Sequence, residues 1–483
     1  MEEGATDSTI AISWLHVIRP HPEIYIKYKE LFINDTSLRR NLSLLLNKFL
    51  LKIRQIIQIF LIIQESIYLL FEKALTDNHI DILIISHRLS YSKIKNDDLY
   101  YGELPLNLVQ DGYRVLIAYI DQAPGIKIEK RDWTHRSGVR HLFLPKALSI
   151  KSEILLKRNL ETEKLRILDI AKKNISNPEY FNFLKNLSRQ ALSIDSKSAY
   201  RIGLQVGELV KKFQPKIILT TYEGHAWERL VFSESKKANP QIKCLGYQHA
   251  PIFNMQHANC RNLKSSYNPD YILASGVISC EKFKNNISLK NILLRMVGSK
   301  RAVNSKIIEN KILKYKDIND IVVIVCPEGF ISECNLMIEF VVKSAKNNPE
   351  IKFIIRLHPG IKKGSLNNNR LPRNVIFSDS QISSDLQKAT HILYRGSSAV
   401  FQAVFCGIQP VYLSLDGEID INPLFEVSEY MLNVSKPNDL NNAINSHAYR
   451  KDINFMKINE YCKNSFTPFI HKNFLKVLSE CNL

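Results

Sequence analysis

Three short stretches of this sequence combine a turn with side chains able to hold an anion. Residues 351–359, IKFIIRLHP, run an apolar strand out into Arg356, Leu357, His358 and Pro359. A guanidinium and an imidazole arrive together there, and Pro359, lacking an N–H for a ladder, stops the strand so that His358 faces outward. Residues 391–405, HILYRGSSAVFQAVF, read as a strand, a turn of Arg395, Gly396, Ser397 and Ser398, and an apolar helix. Gly396 permits a tight turn, and the two serines fall where free backbone N–H groups, hydroxyls and the helix dipole hold a phosphate or carboxylate. Cys326-Pro327-Glu328-Gly329 closes a third strand in a turn of the kind that approaches a nucleotide closely. Singly, each has a plain reading, a strand cap for His358 and a Ser N-cap for 397–398. At three strand ends of one sheet they read jointly as a nucleotide-sugar site.

A proton acceptor is expected elsewhere. Thr221-Tyr222-Glu223-Gly224-His225 follows the apolar run 216–220 and leads into a helix. Glu223, at the strand end, can take the proton of an attacking hydroxyl if its pKa is raised toward neutrality. Glu228, further into the helix, is the better candidate for stabilising the helix dipole. Gln248 and His249, after the run 243–246, are expected on the opposite wall, and His87 and Arg88, after the run 81–86, on the acceptor side. His257 is left without a role. The chain has no Asp-x-Asp and no closely spaced histidines, so no metal clamp for a diphosphate is expected. Arg356, His358 and the serines would balance the leaving charge, without metal or cofactor.

These turns need sheets to carry them. With 483 residues the chain exceeds one ordinary core. From residue 80 short apolar runs alternate with longer amphipathic ones, which predicts strands joined by crossover helices. The fold class is α/β: two Rossmann-like, doubly wound lobes facing a central cleft, with an extra N-terminal helical segment. Predicted strands are 81–86, 113–120, 139–144, 216–220, 243–246 and 271–274, then 321–326, 352–357, 374–378, 391–394 and 410–413. Residues 147–212 read as an inserted helical layer. The expected division is 1–79 helical extension, 80–275 acceptor-side lobe and 276–483 nucleotide-sugar lobe with C-terminal helices. A hinge is placed between 275 and 320.

Composition excludes other classes. Hydrophobic residues are 45% and charged residues 23%, a globular balance. The net charge of +19 is spread along a chain rich in Ile, Lys and Asn, without the patterned arginines and aromatics of nucleic-acid readers, so no nucleic-acid partner is expected. Eight cysteines with no C-x-x-C pair look like reduced, buried thiols. The N-terminus MEEGATDST lacks the pattern of a signal peptide, and a cytoplasmic location is expected. Residues 38–71 are very apolar but interrupted by Lys48, Lys52, Arg54 and Glu65, which disfavours a spanning helix. A helix packed on protein is the leading reading. Peripheral contact with the inner face of the cytoplasmic membrane is the other.

With these residues in view, the chain resembles bacterial GT-B glycosyltransferases that use CMP-activated acidic sugars, the sialyltransferases and the transferases of 3-deoxy-manno-octulosonic acid. Glu223-Gly224 matches their acidic-Gly motif, His358-Pro359 their HP motif and Ser397-Ser398 their serine pair, in the same order. The resemblance implies that His358 contacts the donor phosphate, that the serines hold phosphate or sugar carboxylate, and that an acid of the first motif activates the acceptor. The partners implied are a nucleotide sugar, CMP-sugar favoured, and a glycan or glycolipid acceptor of a bacterial surface polysaccharide or lipopolysaccharide. Tyr222 stands where that family's motif has a first acid, which leaves the base and the stereochemistry open. The stretches RLHP and SS are also similar to the CDP-polyol phosphotransferases of teichoic-acid synthesis. A UDP-sugar 2-epimerase and a non-catalytic assembly protein are the remaining alternatives.

Overall fold

The apolar runs form two parallel sheets in the computed structural model, which describes residues 5–32, 60, 63, 79–88, 98–122, 132–134, 138–302, 321–367, 370–447 and 453–483. Apart from Phe60 and Ile63, the expected helix at 38–71 lies outside the described residues.

The first sheet holds β1 (Ile82–Arg88), β2 (Val115–Asp121), β3 (Asp132–Thr134), β4 (Arg140–Phe143), β5 (Ile217–Thr221), β6 (Lys243–Tyr247), β7 (Tyr271–Ala274) and β8 (Leu293–Met296). Their order is β3-β4-β2-β1-β5-β6-β7-β8, parallel except for β3 against β4. Successive side chains alternate faces. Ile82, Ile84, Ile217 and Leu219 therefore enter one core, while Leu83, Ile85 and Ile218 enter the other. Burial on both faces is why these strands read as unbroken apolar runs.

Helices cover both faces. α1 (Asp7–Ile10) and α2 (Pro22–Lys29) precede the sheet, α3 (Leu104–Gln110) links β1 to β2, and α4 (Ile150–Lys173), α5 (Pro178–Gln190) and α6 (Ile194–Phe213) form the helical layer. α4 starts where the Ser149 hydroxyl accepts the Ser152 N–H at 3.3 Å, and it buries Leu156, Leu160, Ile167 and Ala171 along one stripe. The N-terminal segment docks on this lobe: Thr9 Oγ1 donates to buried Glu163 at 2.9 Å, and Asp7 accepts the Tyr267 hydroxyl at 2.9 Å. α7 (Ala226–Ala238) follows β5, and α8 (Val277–Lys284) follows β7.

The second sheet holds β9 (Val322–Cys326), β10 (Lys352–Ile355), β11 (Val375–Phe377), β12 (His391–Tyr394), β13 (Gln409–Leu413) and β14 (Leu432–Val434) in the order β11-β10-β9-β12-β13-β14. Its helices are α9 (Ile331–Asn347), α10 (Ile382–Lys388), α11 (Ala399–Phe405) and α12 (Asp439–His447).

β8 continues the first sheet, and the chain then crosses to β9. The tail crosses back: α13 (Ile453–Ser465) puts Ile458 and Cys462 into the second lobe's core, while α14 (His471–Glu480) puts Phe474, Val477 and Leu478 into the first. The crossings touch, with Ser299 N–H donating to Thr467 O at 2.7 Å and Ile470 N–H to Val297 O at 2.9 Å. All eight cysteines are unpaired, and among the described residues no helix is long and apolar enough to cross a membrane.

In each sheet the chain winds outward to one side and then restarts on the other. The reversal falls between β1 and β5 in the first lobe and between β9 and β12 in the second. Beyond the carboxyl ends of such a strand pair the connecting loops part and leave a crevice.

Candidate functional site

The second lobe's crevice is flanked by the loops after β9 and β12, with the loop after β10 beside them. Glu328, after β9, is buried and paired with Arg19 of the N-terminal segment, and His21 Nε2 lies 3.6 Å from its other oxygen. Burial opposes its charge, but His21 and Arg19 hold its pKa below the usual value. His21 also stacks on Phe330, ring centroids 4.5 Å apart. Gly396, after β12, lies directly under this carboxylate: a Cβ at 396 would come within 1.5 Å of Glu328 Oε1. Only glycine fits.

The His358 ring lies against the same loop, so that a Cβ on Gly329 would be 3.2 Å from its Nδ1. That Nδ1 accepts the Gly360 N–H at 3.2 Å, which leaves the Nε2 proton as the ring's donor. Partial desolvation holds the His358 pKa below the ordinary histidine value, so the ring is neutral at pH 7. Ser398 precedes α11, and its hydroxyl accepts from Arg301 at 2.9 Å, while Ser397 Oγ accepts the Ala399 N–H at 3.4 Å. His358, Glu328, Gly329 and Gly396 thus share one strand-end edge with the serine pair.

The first lobe's crevice is flanked by the carboxyl end of β1 and by the loop after β5. Glu228, fully buried on the first turn of α7, holds the loop after β5: one oxygen accepts the N–H groups of Glu223, Gly224 and His225 at 3.0, 2.8 and 2.9 Å, and the other accepts the Thr221 hydroxyl at 3.1 Å. Gly224 has φ +88, and a Cβ there would come 2.3 Å from the Ala258 carbonyl carbon, which explains the glycine after Glu223. The loop so fixed presents Glu223 and His225 together, with Nε2 3.4 Å from Oε2.

The expected raised pKa at Glu223 is reversed. Burial works against its charge, but the His225 hydrogen bond and the fields of His249, His225 and Arg19 hold it down to about 2. His225 moves the other way: burial lowers it, and its bond to Glu223 and the charges of Glu228 and Glu223 outweigh that and raise it. His87 and His249 close the cluster through Tyr100, whose ring lies 5.7 Å from His87 and 4.7 Å from His249, and His87 lies 5.1 Å from Trp227. Burial pushes His87 down to about 3 and His249 to about 4, so both rings are neutral at pH 7.

Several expected residues are held by protein partners. Arg356 donates to Asp385 at 2.9 Å and to the Ser380 carbonyl at 2.7 Å, which ties β10 to α10. Arg88 is held by Asp121 at 3.0 Å and lies over the Phe143 ring. Arg395 is buried between Glu333 at 3.2 Å and Glu418 at 2.5 Å, the latter on the wall of a polar cavity of about 230 Å³. Gln248 Oε1 accepts the N–H and hydroxyl of Ser275 at 3.1 and 2.9 Å. Among the described residues no cluster of three or more His, Cys, Asp or Glu side chains could hold a metal ion.

The lobes meet at these two edges. Arg301, on the crossing from β8 to β9, bonds Ser398 of the second lobe while its charge acts on Tyr100, Tyr247 and Glu223 of the first. Two doubly wound lobes opposed at their crevices make a GT-B fold. No family model and no curated protein matches the sequence. Among solved structures the chain is similar to an α,α-trehalose 6-phosphate synthase from Burkholderia multivorans, at 9% identity and TM-score 0.49 over 84% of this chain and 97% of that one. It is also similar to the glycosyltransferase SnogD from Streptomyces nogalater, at 11% and 0.45 over 83% and 98%. A third is the spinosyn rhamnosyltransferase SpnG complexed with thymidine diphosphate, at 14% and 0.44 over 83% and 100%.

Sequence reasoning assigned no role to His225 or Arg301. The Glu-x-His spacing beside Glu223 was a usable signal for the first. Nothing local marks the second, an arginine in a connecting segment whose neighbours across the cleft are about a hundred residues away on the Ser398 side.

Proposed function

We propose that the chain is a glycosyltransferase, moving a sugar from a nucleotide donor to an acceptor hydroxyl in the cleft between its lobes. The observation that carries this reading is the opposition of two crevices, one lined by a neutral imidazole donor, a glycine turn and serine hydroxyls, the other by a carboxylate–imidazole pair. In the reaction the acceptor oxygen bonds to the anomeric carbon and gives its proton to the Glu223–His225 pair. The bond from the anomeric carbon to the phosphate oxygen breaks, and its electron pair stays on phosphate. In this reading His358 Nε2–H and the Ser397 and Ser398 hydroxyls meet that charge as donors fixed before the reaction begins. A carboxylate held near a pKa of 2 is a poor proton acceptor at neutral pH. The imidazole of His225, oriented and raised by Glu223, is the better base.

The motif resemblance narrows the donor to a CMP-activated 2-keto-3-deoxy acidic sugar and the acceptor to a bacterial surface glycan. A thermal-shift panel of CMP, CDP, UDP, TDP and GDP tests this, because ligands that bind only the folded state raise its melting temperature with affinity. CMP is expected to give the largest shift, and His358→Ala to lose sugar transfer while keeping the unliganded melting temperature. Isomerisation of a UDP-sugar without acceptor would move the assignment to an epimerase. No shift with any nucleotide would end it.

A further inference from the structure

Five guanidiniums stand around the two crevices, and four are already matched by carboxylates: Arg19 by Glu328, Arg88 by Asp121, Arg356 by Asp385 and Arg395 by Glu333 and Glu418. The fifth, Arg301, has no carboxylate partner among the described residues. Among the described residues its side chain makes a hydrogen bond from Nη1 to the Ser398 hydroxyl at 2.9 Å, and its guanidinium lies 5.8 Å over the Phe466 ring. It is half-buried, and burial depresses its pKa, which marks a cation short of compensating charge. A partly desolvated guanidinium without a counter-ion is costly unless an anion arrives to match it.

The position of the side chain limits what that anion is. Its backbone N–H is held by Ser299 Oγ at 3.1 Å, and Ser299 is itself bound to Thr467 of the returning tail, so Arg301 springs from the crossing rather than from either lobe. It spans from the serine pair on one side to the field of Tyr100, His249 and Glu223 on the other. An anion seated there touches the second lobe's phosphate loops and faces the first lobe's proton acceptor at once. A planar fork of N–H donors suits phosphate oxygens.

We propose that Arg301 is the anion-binding guanidinium of the cleft, holding the phosphate of the nucleotide donor and receiving the charge left on its oxygen when the sugar departs. The assignment rests on the reading of the cleft as a nucleotide-sugar site and adds to it a residue outside both motif-bearing lobes. Ser398 positions the guanidinium in the free protein, and phosphate oxygens take up its remaining N–H groups.

Calorimetric titration of the full-length protein with CMP, CDP and UDP tests this, using wild type, Arg301→Met, Arg301→Lys and Ser398→Ala. Losing a charge-assisted hydrogen bond at a partly buried site weakens binding roughly 10- to 100-fold, so Arg301→Met is expected to raise the Kd of the tightest-binding nucleotide by that factor. Arg301→Lys keeps the charge without the fork and is expected to lose less. The affinity of the Met variant is also expected to depend less on ionic strength, a change that a purely structural role would not produce. Wild type binding a nucleotide while Arg301→Met binds it within twofold would overturn the inference and leave the function standing. Should the Met variant fail to fold, the Lys variant decides: an unchanged Kd there has the same meaning. Failure of wild type to bind any of the three, with TDP and GDP also giving no thermal shift, would remove the functional reading and this inference with it.

Discussion

Replacing Glu228 by Ala tests the geometry of the proton-accepting loop directly. The carboxylate is fully buried and accepts three backbone N–H groups, those of Glu223, Gly224 and His225, together with the Thr221 hydroxyl. Alanine removes every acceptor at once. A buried donor left unpaired costs roughly 1–3 kcal/mol, and water entering the space recovers part of that, so three such groups cost about 3–5 kcal/mol together. Glu228→Gln keeps one carbonyl oxygen in place and exchanges charged acceptors for neutral ones, a loss of about 1–2 kcal/mol. Burial, the largest influence, and the charge of Glu223 lift the Glu228 carboxyl to about 6, so the comparison belongs at pH 8, where it is ionised. For a lobe of this size about 2–4 °C of melting temperature corresponds to each kcal/mol, giving a fall of roughly 6–20 °C for Ala and roughly 2–8 °C for Gln. The assay is scanning calorimetry of the unliganded protein, read with amide exchange at 223–225. If the Ala variant melts within about 2 °C of wild type, the loop is not held by this carboxylate, and the placement of Glu223 and His225 loses its physical basis.

Two further outcomes follow from the same site. If His225 takes the acceptor proton, kcat/KM rises with pH through a pKa above the ordinary histidine value, because Glu223 raises it; Glu223→Gln removes that support and moves the acidic limb to lower pH. A limb near the carboxylate range in wild type, or one that Glu223→Gln leaves in place, would refute the assignment. Gly396→Ala places a methyl 1.5 Å from Glu328 Oε1 and so displaces Glu328 from Arg19; a stability loss of about 1–3 kcal/mol and weaker nucleotide binding are expected by calorimetry, and wild-type values in both would show that the contact is dispensable.

Much of the architecture was readable because parallel strands buried on both faces leave apolar runs such as ILII and VVIV, and their boundaries fall within a residue or two of β1, β5 and β9. β8 was read as part of a hinge: its sequence LLRM is short, carries Arg295 and is exposed at both ends, so nothing separates it from a loop until β7 pairs with it. β14, only Leu432–Val434, escaped because three residues are too few to show a strand's alternation. The turns that carry His358, the serines and Glu223 were legible because the residues that make each turn stand beside it in the chain. The direction of a long side chain is not encoded locally. Arg356 pairs with Asp385 and Arg88 with Asp121, partners 29 and 33 residues away, and a strand-end arginine looks alike in sequence whether it meets a ligand or the next helix. The pKa of Glu223 failed in the same way, since the sequence shows an acid near the start of a helix and not the imidazoles folded around it.

The exchange of termini between lobes has a thermodynamic consequence. Phe474, Val477 and Leu478 complete the first lobe's interior, yet the only covalent path to them runs through the second lobe and α13. Melting the second lobe alone would leave α14 tethered to a random coil, and the entropy of that slack segment would pull against its docking. Each half is therefore expected to lend the other part of its resistance to heat, so that loss of the second sheet weakens the first.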